Sequence, residues 1–103
     1  MLTASSLLGT IRAHYANAHV FATVWSQIKD LGPPNSRTAM ANALGSIIDA
    51  RRATDPKMHF FAFPQSNDPD VNETGCYYHA NAAHHQAMAN LLIAEITAQV
   101  PGF

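Results

Sequence analysis

The chain has 103 residues, 48% hydrophobic and 13% charged, with a formal net charge of -1 when His is neutral. That length allows one domain at most, and the apolar share suits a packed core, not a disordered chain. The even charge balance, without a basic stripe, excludes the usual footprint of a nucleic-acid binder, and no apolar run reaches the roughly 18 to 20 residues of a membrane-spanning helix.

The first ten residues lack a basic start and a clear apolar stretch, so no signal peptide is expected and the default location is cytoplasmic. Leu7, Leu8, Ile11 and Tyr15 recur at helical spacing and predict an amphipathic helix over about 3–16. His19 to Trp25 is a nearly unbroken apolar run rich in Val and aromatic residues. It reads as a strand of a parallel sheet, buried on both faces. Gly32-Pro33-Pro34 breaks the chain, and Asn35 or Ser36 can cap a second helix whose Met40, Leu44, Ile47 and Ile48 share a face. Gly45 weakens that helix by about 1 kcal/mol relative to Ala. Asp55-Pro56 ends the segment, and Met58 to Phe63 is a second strand stopped by Pro64. Residues 64–78 form a long polar loop, the kind that often carries function. A last helix runs from about Asn81 to Gln99, with Met88, Leu91, Leu92, Ile96 and Val100 assigned to one face and Pro101-Gly102 at its end.

Two strands joined through helices give two parallel strands. Two buried strands make a thin sheet, so a homo-oligomer that completes it is expected. Function in such sheets gathers at the carboxyl ends of the strands. The loops after Trp25 and Phe63 leave from that rim, and His79 lies between the second loop and the last helix. Its imidazole, with an ordinary pKa near neutrality, suits a general base. Ser26 and Ser66 follow the two strands and are the candidate nucleophiles. Asp68 and Asp70 are candidate acids, though solvated turn residues are the simpler reading.

Cys76, His79, His84 and His85 lie close together, and zinc accepts Cys and His. Adjacent His84 and His85 diverge by about 100° on a helix, which works against one shared ion, so neither a metal nor a cofactor is expected. Cys76 is the single cysteine, which excludes an intrachain disulfide. His14 and His59 read as ordinary surface or partly buried residues. Trp25, Phe60, Phe61 and Phe63 read as core, while Tyr77 and Tyr78, flanking the His79 position, could stack on sugar rings. Asn72-Glu73-Thr74 is an N-glycosylation sequon, given little weight without a leader peptide.

Gly75, Cys76, His79, His85, Gln86, Met88 and Ala89 keep the order and spacing of a Gly-Cys-Asp-Trp-His-Pro…His-Gln-x-Met-Ala pattern. Arg12-x-x-Tyr15 followed by His19-Val20-Phe21-Ala22 adds a helix-then-strand unit upstream. In these features the chain resembles SGNH (GDSL-type) hydrolases, especially the carbohydrate-esterase branch that removes acetyl groups from xylan and similar sugars. The resemblance covers nearly all of the chain and the C-terminal half of that family's domain. It implies an α/β fold: a partial flavodoxin-like three-layer unit, residues 1–103, with about two parallel strands and three helices, completed by oligomerisation. It also implies that His79 is the catalytic base and His85 a structural residue. Cys76 and Tyr77 stand where the family carries an Asp, Ala80 stands for Pro, and the Gly-Asp-Ser nucleophile block is not in these residues. The expectation is an esterase for short acyl or acetyl esters, including carbohydrate esters, with His79 as base and a serine still to be assigned. The alternatives are an inactive half-domain acting as an oligomeric scaffold, and a Cys/His metal-binding protein.

Overall fold

Two runs of β-branched and aromatic residues, β1 (Val20–Val24) and β2 (Met58–Ala62), pair in parallel with Val20 opposite Met58 and Val24 opposite Ala62. Backbone bonds carry the pairing past both ends: the Val20 N–H donates to Lys57 O at 2.9 Å and the Phe63 N–H to Val24 O at 3.0 Å. The computed structural model describes residues 3–30, 33, 35–66, 75, 76 and 79–103. Among these, the sheet has two strands, flanked by α1 (Ala4–His14), α2 (Ser36–Arg52) and α3 (Ala82–Gln99). This is the α/β unit of two parallel strands and three helices that the sequence predicts.

Side chains alternate across a strand, so each strand serves two layers. Met58, Phe60, Val20 and Ala22 turn to α1 and α2, where Leu8 and Ile48 close the core. Ile48 and Met58 are fully buried there. His19, Phe21 and His59 turn to the opposite face, where α3 lies; the rings of Phe21 and His59 stack at 4.4 Å. Thr3 opens α1 with a reciprocal capping box to Ser6. Asn35 is the N-cap residue of α2, but its side chain makes no cap bond. Asp30 takes that role from the preceding loop, accepting from the Thr38 N–H at 2.9 Å and from the Thr38 hydroxyl. Those two bonds hold its carboxyl below the usual carboxylate range.

Arg12 organises the amino-terminal end of the strands. Its guanidinium binds Asp55 at 2.8 and 3.3 Å and donates to the carbonyls of Tyr15, Ala16 and Ala18. Desolvation pushes the Asp55 carboxyl up, but the Arg12 bonds and the Lys57 N–H outweigh it and leave it below its ordinary value.

Several expected core positions are more exposed. β1 is not buried on both faces: Thr23 is exposed, because the outer edge of β1 has no neighbouring strand among the described residues. An open apolar groove of about 250 Å³ lies along that edge, lined by Leu7, Leu8, Ile11, Leu44 and β1 itself. Tyr15 and Met40 are exposed, and Trp25 is 41% exposed because it stands beyond the end of β1. On α3 the inward row is His84, Met88, Leu92 and Gln99, with Met88 buried, while Leu91 is exposed. Leu91 follows Met88 by three residues and so rotates about 60° off that row.

Candidate active site

The chain leaves both strands at their carboxyl ends and turns there into loops. Ser26 and Ser66 sit on these exits, where the sequence places them, and the Ser66 N–H donates to Ser26 O at 2.9 Å. Both serines are buried, at 1% and 4% exposure. Arg37, in the first turn of α2, reaches across both exits. It donates to Trp25 O at 2.7 Å, to Ile28 O at 3.0 Å and to Phe63 O.

Asn81 starts α3 on the same rim, its side chain accepting from the His84 N–H at 2.8 Å. His84 then faces inward, with Nε2 at 2.8 Å from the Ser26 hydroxyl. The Ser26 Oγ also lies 3.0 Å from Met88 Sδ, one helical turn further on. The hydroxyl has a single proton to give, so when it donates to the sulfur, His84 donates its Nε2–H to the oxygen. His85 diverges from His84 as helix geometry requires, and its ring lies 6.1 Å from that of Trp25.

His79 is exposed on the short turn before α3. Its carbonyl accepts from the Gly75 N–H at 2.7 Å and its N–H donates to Cys76 O at 3.1 Å. Neither Ser26 nor Ser66 is hydrogen-bonded to the His79 ring. The Ser66 hydroxyl is buried, with no hydrogen-bond partner among the described residues. The structure therefore brings the two serines together and sets one of them against His84, while His79 is exposed on the turn before α3. Asp68, Asp70, Asn72, Tyr77 and Tyr78 lie outside the described residues. No group of three or more His, Cys, Asp or Glu among the described residues could hold a metal ion.

Sequence reasoning weighed His84 only as a metal ligand, not as a partner of Ser26, and missed Arg37. His84 precedes Met88 by one helical turn, so the two share a face, and that spacing is a usable signal. Arg37 had a weaker one: a cation in the first turn of a helix, where the macrodipole disfavours it, needs acceptors from elsewhere.

No family model matches the chain. It is 31% identical over 91 residues to the cellulase/esterase CelE of Acetivibrio thermocellus, covering 88% of this chain and 11% of that protein. A solved family two carbohydrate esterase from Clostridium thermocellum, in complex with cellohexaose, superposes with a TM-score of 0.79 at 27% identity. An active site mutant of a family two carbohydrate esterase from the same organism gives the same TM-score at 26% identity. The chain is thus similar, over nearly all of its length, to a small part of proteins described as carbohydrate esterases. The match spans 94% of the chain and 28% of the solved esterase mutant, so the fold of this chain is similar to one portion of a longer protein.

Proposed function

We propose that the chain provides the base-bearing side of an ester-hydrolysing site for short acyl or acetyl esters carried on carbohydrate. The observation that supports this reading is the likeness of fold: the chain superposes on a carbohydrate esterase with a TM-score of 0.79, and His79 lies on the turn that leads into α3, whose His84 reaches Ser26 at the exit of β1. In the reaction the His79 imidazole takes the proton of a serine hydroxyl as its oxygen attacks the acyl carbon. The sugar hydroxyl leaves with that proton, and water, deprotonated by the same ring, releases the acid from the acyl-enzyme. Ser26 is engaged by His84 and Met88. Of this chain's two rim serines, Ser66 is the one whose hydroxyl has no partner among the described residues.

Hydrolysis of p-nitrophenyl acetate tests the reading. His79→Ala is expected to lower the rate about 100-fold, the low end for loss of a general base. Equal rates for wild type and His79→Ala would remove His79 from catalysis. Ser66→Ala and Ser26→Ala, assayed alongside, report whether the attacking hydroxyl belongs to this chain.

The open edge of β1 favours a second reading, an oligomeric scaffold. Val20 to Val24 carries no charge, proline or bulge to guard the edge, and the 250 Å³ apolar groove runs beside it. Such an edge is expected to pair with another copy of the chain. A monodisperse monomer in sedimentation velocity would exclude this reading.

A further inference from the structure

We propose that His19 and His59 form a pH-sensitive latch that fastens the carboxyl-terminal half of α3 to the sheet and releases it on acidification.

The two rings sit at the amino-terminal end of the strands, remote from the rim. His59 is 5% exposed. His19 Nδ1 lies 2.8 Å from His59 Nε2, and His59 Nδ1 lies 2.8 Å from Gln99 Oε1. The Gln99 amide nitrogen donates in turn to Glu95. A carboxylate only accepts, so Glu95 fixes which way the Gln99 amide points, with its oxygen toward His59. His59 must then carry its proton on Nδ1 and offer the Nε2 lone pair inward. His19 must donate to that lone pair from its own Nδ1. Both neutral rings are thus Nδ1–H tautomers, and each hydrogen bond from His19, just before β1, through β2 to α3 has one donor and one acceptor.

The arrangement accepts one proton and fails at two. The first goes to His19 Nε2, which leaves the Nδ1–H···Nε2 bond in place. The second has only His59 Nε2 to occupy, which sets two N–H groups against each other at 2.8 Å and separates the rings. Desolvation, then His59, Lys57 and Arg12, hold the His19 ring below its ordinary value, against the pull of Asp55. These are the charged groups facing the ring from α1 and from the turn before β2. On the far side, Glu95 of α3 is the charge beyond Gln99, and Phe21 of β1 stacks on His59. A histidine whose folded pKa is lowered takes up its proton later than the unfolded chain does. The latch is therefore complete above the unfolded value of about 6.5 and weakens as the pH falls below it.

Amide hydrogen exchange on the protein reads this directly, comparing residues 92–99 with α2 at about pH 7.5 and pH 5.5 after correction for intrinsic rates. One proton taken up across one pH unit is worth at most about a tenfold change, so protection in 92–99 is expected to fall by up to about tenfold while α2 holds. His59→Phe keeps a ring against Phe21, removes both bonded ring nitrogens, and is expected to abolish the pH dependence in 92–99. Equal loss in both helices, or a loss in 92–99 that persists in His59→Phe, overturns the latch. Ring-nitrogen NMR of the wild type needs no variant. Nδ1–H tautomers on both rings at pH 7.5 support the proposal, and an Nε2–H on His59 overturns it.

Discussion

On one face of the sheet, Leu8 and Ile48 close over Met58, with Val20, Ala22 and Phe60 packed around them. On the other, α3 meets the strands through Met88 and through polar ties at its two ends, Ser26 to His84 and His59 to Gln99. Apolar burial has no direction and scales with area. Hydrogen bonds need particular atoms in particular protonation states, and their net contribution is about 1 kcal/mol each. The first face is therefore the source of most of the stability. The second is the face whose attachment solution conditions can alter.

Four substitutions would break or sharpen that contrast. The largest loss is expected from Ile48→Ala, about 3 kcal/mol, because the residue is fully buried and leaves a cavity. Urea unfolding should show this cost undiminished between pH 8 and pH 6. Arg12→Ala comes next, at about 2 kcal/mol, through loss of the Asp55 pair and of three carbonyl contacts. It should also flatten the acid limb of a stability profile. The Asp55 carboxyl is lowered in the fold, so the stability it contributes is present above its unfolded value of 3.8 and is lost as the pH drops through the lower folded one. Ser26→Ala is expected to cost about 1 kcal/mol, and hydrogen exchange should show the loss in the first turns of α3 ahead of α2. Gly45→Ala should act in the other direction. A methyl there would lie 3.7 Å from the Phe60 ring, in ordinary contact, and raise stability by about 0.5 to 1 kcal/mol. A melting temperature below that of wild type would show that the α2–β2 contact has no room for it.

The apolar face was legible in the sequence, and the α3 face much less so. Helical spacing in α1 and α2 and the apolar runs of β1 and β2 fixed the element order, and the strand ends located the rim with Ser26 and Ser66. Periodicity works there because one face of each element is wholly apolar. It did not flag His59, which sits between Met58 and Phe60 and belongs to the opposite layer. Nor did it find the partners of His84 and Gln99, which lie 58 and 40 residues away. A polar tie between distant segments leaves no local pattern. Trp25 and Leu91 misled for a related reason: each is strongly apolar, and each lies just off the end or the face that the sheet covers. Asp30 as the cap of α2 was hidden because its bond reaches Thr38, well outside the usual capping window.

Arg37 has a consequence for motion. A single planar guanidinium is bonded to the carbonyl oxygens of Trp25, Ile28 and Phe63, so the chain leaving β1 and the chain leaving β2 are linked through one side chain in addition to the Ser66 to Ser26 backbone bond. A displacement of either exit tilts the plane and is felt at the other. The two strand exits are thereby correlated, and any separation of them has to break or carry this side chain as well as the Ser66 to Ser26 backbone bond.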